Sequence, residues 1–220
     1  ELDVKSLDTK KDTSFTYTFK NNQLTITAKN CQIDINSITI DKIEVIFSSS
    51  SQNSTLNSNV KVKQITNNGK NMTIIGSDEN DNIINKGANS SISTGKGDDK
   101  VTNSAANVYI ETGDGNDNIT NSGKDAVIYD TEGNNNVSNT STSANINGLQ
   151  YNKGNLLNGK VNNKMYSNGV LADGLISGLM YKDGVALTGT EHGYEYKSGK
   201  LYINNKLATG TYMNNIYFKS

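Results

Sequence analysis

The sequence predicts an all-β chain: a parallel β-solenoid of 18-residue coils, followed by an antiparallel β-hairpin repeat array. Three observations carry that expectation. Nine-residue steps land on Ile38, Phe47, Leu56, Ile65, Ile74, Ile83, Ile92, Val101, Ile110, Ile119, Ile128, Val137 and Ile146, all apolar in a chain only 33% hydrophobic. Two polar ladders repeat at twice that step over the same stretch: Asp81, Asp99, Asp117, Asn135, and Asn67, Asn85, Asn103, Asn121, Asn139. From residue 150 the pattern changes to a shorter repeat, marked by Tyr151, Tyr166, Tyr181 and Tyr196. Short strands stacked on copies of themselves build a parallel roll, and Tyr/Gly units with tight-turn dipeptides build hairpins.

Residues 1–37 are expected to form N-terminal capping strands. They alternate (Phe15, Tyr17, Phe19, then Leu24, Ile26) and miss the nine-step register. An atypical end is needed because a solenoid terminus is an open core and a bare sheet edge. Residues 38–147 are the solenoid, with residues 48–60, rich in Ser and Asn, expected as a loose coil or loop. The nine-residue steps from Ile38 to Ile146 make six coils, a rod of about 30 Å at the strand spacing of a sheet. The unit is two unlike halves, since Met72, Ser90, Val108, Ala126 and Ala144 precede only the alternate apolar sites. Stacked Asn residues are read as structural: Asn tolerates left-handed turns, and its amide bonds to the Asn one coil above.

The chemistry lies in four half-coils, Gly76–Ile83, Thr94–Val101, Thr112–Ile119 and Asp130–Val137. The second and third, through Gly95, Gly97, Asp99, Val101 and Gly113, Gly115, Asp117, Ile119, resemble the RTX (haemolysin-type) nonapeptide G-G-x-G-x-D-x-U-x. Thr94 and Thr112 replace its first glycine. The resemblance covers residues 76–137 only and is one-sided. Ser77, Glu79 and Thr131 stand where glycines belong, Asn135 replaces the aspartate, and the opposite half-coils lack the motif. It implies a Ca²⁺-binding roll with ions between successive turns. The expected metal residues are therefore Asp81, Gly95, Gly97, Asp99, Gly113, Gly115, Asp117 and Asn135, with Asp99 and Asp117 the best pair. Gly supplies positive-φ turns, Asp supplies carboxylate, and Ca²⁺ takes six to eight hard oxygens. Charge points the same way. Residues 76–135 hold 11 acids and 4 lysines, a net −7 hidden in a chain of −1. Stacked like charges repel unless a cation or proton relieves them. The competing reading is a metal-free turn whose Gly and Asp bend the chain and cap its amides.

Residues 148–220 form the Tyr/Gly hairpin repeat domain, with a 15-residue period. Its units contain Tyr-Asn-Lys-Gly, Tyr-Ser-Asn-Gly, Tyr-Lys-Asp-Gly and Tyr-Lys-Ser-Gly, and the count restarts after an insertion at Tyr202 and Tyr217. This part is loosely similar to the Tyr/Gly repeats of bacterial surface proteins. Its tyrosines are either the core of the array or a sugar-binding face, with Tyr194 and Tyr212 the better candidates for contact.

Function classes narrow by elimination. The chain has 35 Asn, no Arg, no Pro, no Trp and one Cys. Without clustered cations it is not expected to bind nucleic acid, and no apolar run reaches the roughly 18 residues of a membrane span. Glu1 opens no signal-peptide pattern, so such a segment is absent, removed or outside this sequence. Cys31 alone forms neither an internal disulfide nor a thiolate metal site. No nucleophile elbow, phosphate loop or zinc spacing is present, and His192 is expected in an insertion turn. The chain is therefore not expected to be an enzyme. The leading expectation is a structural or adhesive module of a secreted or surface-exposed bacterial protein, rigidified by Ca²⁺ and self-associating into a layer or filament. The alternatives are a carbohydrate-binding module for a glycan or cell-surface ligand, and an accessory module of a polysaccharide-processing enzyme.

Overall fold

A computed structural model describes residues 2–6, 13–38, 43–130, 132–161, 164–176, 178–191, 194–203, 206–208, 210–212 and 216–218. Thr131 and His192 lie outside them. The described residues form strands and turns and no helix. They divide into two compact units, Glu1–Gly154 and Asn155–Ser220.

The first unit contains β1 (Leu2–Ser6), β2 (Ser14–Lys20), β3 (Gln23–Lys29), β4 (Gln32–Ile38), β5 (Glu44–Phe47), β6 (Thr55–Ser58), β7 (Gln64–Asn67), β8 (Thr73–Ile75) and β9 (Asn82–Asn85). It continues with β10 (Ser91–Lys96), β11 (Lys100–Asn103), β12 (Tyr109–Asp114), β13 (Asn118–Asn121), β14 (Ala126–Tyr129), β15 (Asn136–Asn139), β16 (Ala144–Ile146) and β17 (Leu149–Asn152). Successive strands alternate between two sheets. One runs β1-β4-β6-β8-β10-β12-β14-β16-β17, the other β15-β13-β11-β9-β7-β5-β3-β2. Every coil thus gives one strand to each sheet, which makes a parallel β-solenoid of about six turns. Ile65 pairs with Ile83, Val101 with Ile119, and Ile92 with Ile110, each pair one coil apart. These side chains are fully buried, as are Phe47, Leu56, Ile74 and Ile128, and Met72, Val108, Ala126 and Ala144 are buried in the same core. Burying each Ile contributes about 1.5–3 kcal/mol. Val137 is only half-buried.

Parallel stacking begins before Ile38. Ile26 pairs with Phe47, and Ile33 pairs with Leu56, in coils longer than the regular unit by three and five positions. Val45, not Phe47, pairs with Ile65. A two-residue offset keeps a side chain on the same face of a strand, so the nine-step count passes from Ile65 to Phe47 without a visible break. Ile38 itself pairs antiparallel with Leu2. The antiparallel strands at this end are β1 against β4 and β2 against β3, and β17 folds back antiparallel on β16 at the other. Residues 48–60 are not a loose loop either. They contain β6, and Gln52 bridges Lys29 and Lys70. Ser51, Ser54 and Ser58 fill inward positions, their hydroxyls donating to the carbonyls of Ile26, Gln52 and Val60.

The second unit is a series of small antiparallel sheets. Gly159–Val161, Lys164–Ser167 and Val170–Leu171 form one, and Gly174–Ile176, Leu179–Lys182 and Val185–Ala186 the next. Asn168, Asp183 and Ser198 have φ near +50°, each followed by a positive-φ glycine, which is the two-residue turn matched to strand twist. Backbone bonds from Met165 N–H to Gly184 C=O and from Met180 N–H to Gly199 C=O join successive repeats. Tyr196, Leu201 and Ala208 are the buried core, with Tyr194 packed against it. Tyr166 and Tyr181 are half-buried. The side chain of Tyr212 is outside the described set.

Candidate metal centre

The two turns of each coil solve the same problem with opposite results. On the asparagine side, Asn67, Asn85, Asn103, Asn121 and Asn139 are buried. Each Nδ2 from Asn67 to Asn121 donates to the Oδ1 of the next coil, at 2.7–2.8 Å. The Oδ1 of Asn103 also accepts from Ala105 N–H, and its Nδ2 donates to Ala105 C=O. An outer ladder, Asn53, Asn71, Asn89 and Asn107, takes the positive φ and bonds in the reverse direction. The two properties expected of a single set of asparagines are therefore divided between two sets. The inner ladder ends at Asn139, whose Nδ2 has no further coil to bond.

On the acidic side, Asp81, Asp99 and Asp117 are buried and Asn135 half-buried. The Oδ1 of Asp99, Asp117 and Asn135 each accepts the backbone N–H of its counterpart one coil earlier, at 2.7–2.8 Å. Next to it a second ladder runs the other way. The Oδ1 of Asn80, Asp98 and Asn116 accepts the N–H of Asp98, Asn116 and Asn134. These reciprocal bonds hold the turns in register. The glycines are required by the stacking: a Cβ on Gly113 would lie 2.1 Å from the Gly95 carbonyl oxygen, and one on Gly115 2.0 Å from that of Gly97. All four have φ between +86° and +145°.

The remaining carboxylate oxygens decide the chemistry. In the first acidic turn, Asp81 Oδ2 accepts from Ser77 N–H at 2.7 Å. In the next two turns, Gly95 and Gly113 stand where Ser77 does, and the Oδ2 atoms of Asp99 and Asp117 are buried with no partner. Burial raises Asp81 to about 7, with Asp99 adding to it, and raises Asp99 to about 6, with Asp117 adding to it. Asp130 is also raised by burial and by Asp117. A buried anion with an unbonded oxygen is costly unless a cation or a proton meets it. Asp99 and Asp117, one coil apart with one free oxygen each, fit a hard cation. Among the described residues no three His, Cys, Asp or Glu side chains converge, so an ion here would need most of its ligands from backbone carbonyls and water. Asn135 has both ends of its amide engaged, Oδ1 by Asp117 N–H and Nδ2 by Glu132 C=O.

Two features escaped the sequence. Thr94, Thr112 and Asp130 are buried and face the same turn interior; the column Gly76, Thr94, Thr112, Asp130, one residue per coil, was the available signal. Tyr109 and Tyr129 form an exposed tilted pair on the outer sheet face, ring centroids 5.8 Å apart, with Tyr109 OH donating to Glu111. No protein-family model, curated protein or solved structure matches the chain.

Proposed function

We propose that the chain is a non-catalytic structural module of a secreted or surface-exposed bacterial protein, a stiff solenoid whose acidic turns take up Ca²⁺. The observation that carries this reading is the contrast between the two corners. The asparagine corner bonds its amides from coil to coil and leaves only the last, Asn139 Nδ2, without a partner among the described residues, whereas the acidic corner leaves the Oδ2 atoms of Asp99 and Asp117 buried and unbonded within the run. The resemblance of Thr94–Val101 and Thr112–Ile119 to the RTX nonapeptide supports the same choice of ion. A bound ion would neutralise the stacked like charges, meeting the free Oδ2 atoms while each Oδ1 stays fixed on a backbone amide. Binding to the folded state alone raises stability by mass action. Calcium titration followed by calorimetry and melting tests it: uptake with a higher melting temperature is expected, and identical melts in EDTA and calcium with no heat of binding refute the metal. A solenoid whose strand β15 stands at the end of its sheet suits end-to-end assembly, which electron microscopy reads directly.

A second reading, glycan binding, has a specific observation in its favour, though not at the C-terminal tyrosines. Tyr196 is core and Tyr194 packs on it. Tyr109 and Tyr129 instead offer an aromatic surface 38% and 43% exposed beside the Glu111 carboxylate. Aromatic rings with polar tips suit sugar rings. Loss of glycan-array signal in Y109A/Y129A, with melting unchanged, supports it; an array with no signal from the wild type removes it.

A further inference from the structure

The acidic column does not end at Asn135. We propose that Asp130 takes over there, so that Asp117 Oδ2 and Asp130 Oδ2 hold a Ca²⁺ ion between the last two acidic turns. This rests on the calcium reading above and adds to it a ligand outside the Gly/Asp motif.

Position comes first. Gly76, Thr94, Thr112 and Asp130 occupy the first place of their turns in successive coils. Side chains in this place point across the turn toward the aspartate column: a Cβ built on Gly76 would lie 2.3 Å from Asp81 Oδ2. Thr94 and Thr112 are fully buried there, and Asp130 is 4% exposed. The carboxylate is also held. Thr94 Oγ1 donates to Thr112 C=O at 2.8 Å, and Thr112 Oγ1 donates to Asp130 Oδ1 at 2.9 Å. Asn147 clamps the backbone of Asp130, accepting its N–H at Oδ1 and donating from Nδ2 to its C=O, both at 2.8 Å. Oδ2 alone remains, buried and without a partner, as does Oδ2 of Asp117. No lysine among the described residues pairs with either carboxylate.

Charge accounting explains the exchange. Asn135 keeps the amide ladder intact without a charge. The charge missing from the sixth place of that turn reappears in the first. Each of the four acidic turns therefore keeps one buried carboxylate: Asp81, Asp99, Asp117 and Asp130. Side-chain oxygens from two coils, with the rest of the shell from carbonyls and water, match the hard-ligand, flexible coordination of Ca²⁺.

The test counts ions. Equilibrium dialysis with atomic spectroscopy, together with calorimetry, is run on the full chain as wild type, D130N and D130T. The threonine variant repeats what Thr94 and Thr112 already do in the coils below, and so decides the matter if D130N folds poorly. Both variants are expected to bind one Ca²⁺ fewer than the wild type while keeping its far-ultraviolet circular dichroism. Equal ion counts and affinities in all three overturn the role of Asp130 and leave the calcium reading standing. A wild type that binds no calcium removes the calcium reading itself. Equal counts combined with variants that melt higher in EDTA overturn the proposal in favour of Asp130 as a buried neutral acid.

Discussion

Replacing Asp99 by Asn removes a buried charge while keeping the hydrogen bond that the turn needs. Asn135 already shows the substitution at work: its Oδ1 accepts Asp117 N–H at 2.8 Å, as Asp99 and Asp117 accept from the coils below, and its Nδ2 reaches Glu132 C=O. The carbonyl in the matching place for residue 99 is that of Lys96. Burial raises the Asp99 carboxyl from 3.8 to about 6, so its ionised form is disfavoured in the fold. A group whose folded value lies above its unfolded value holds its proton in the fold after the unfolded chain has released it. The fold therefore loses stability as pH rises from about 4 through about 6, and the loss is complete above that. The displacement sets a ceiling of about 3 kcal/mol, and water reaching the turn surface reduces this to roughly 1–2 kcal/mol. In a unit of this size that is a melting shift of about 3–6 °C.

Thermal melts in EDTA at about pH 8 and about pH 4 measure it. D99N is expected to melt above the wild type at the higher pH and level with it at the lower. Calcium reverses the order at the higher pH, because the wild type gains an ion that the variant holds poorly. If D99N melts lower than the wild type in EDTA at the higher pH, the carboxylate is stabilising without metal, and the electrostatic reasoning fails. If calcium raises both proteins equally, Asp99 is not a ligand.

The same geometry sets other outcomes. Asn103→Ala removes bonds to Asn85, Asn121 and Ala105 at once, so urea unfolding should show a loss of at least about 3 kcal/mol from several buried unpaired groups. Gly113→Ala forces a Cβ to within 2.1 Å of the Gly95 carbonyl oxygen and is expected to give insoluble or unfolded protein, whereas Gly148→Ala, also at positive φ but with nothing within 4 Å, should cost only about 1 kcal/mol. Tyr196→Ala opens the core of the hairpin unit and should cost about 3–5 kcal/mol in its unfolding transition, against much less for half-buried Tyr181→Ala.

The roll was legible because its signal is periodic twice over. A nine-residue apolar step and a polar ladder at twice that step agree on one coil, and from β6 onward the observed register follows them. The first coils were illegible for a related reason. The pairs Ile26–Phe47, Ile33–Leu56 and Val45–Ile65 exceed the regular spacing by three, five and two positions, so the period is lost, and only the last, even offset keeps the inward phase that apolar spacing reports. Serine at positions 51, 54 and 58 reads as loop composition. Hydroxyls bonded to carbonyls of the same or the neighbouring coil let serine occupy a core column as readily as alanine does elsewhere in the roll.

The acidic corner exposes a different limit of reading by motif. The nonapeptide pattern follows one column and treats Asn135 as the place where the ladder decays. The coil instead keeps a quantity that no single column displays, one buried carboxylate per turn, and moves it from the sixth place to the first at Asp130. Both places face one interior, because the turn brings its first and sixth residues together across a few ångströms. Charge in a stacked turn belongs to that shared interior. Counting it there assigns the fourth turn the same electrostatic problem as the second and third, and the same two solutions, a cation or a proton. Ion counting on D130T separates the two, since threonine removes the carboxylate and leaves Thr112 Oγ1 a backbone carbonyl like the one that Thr94 Oγ1 already uses one coil below.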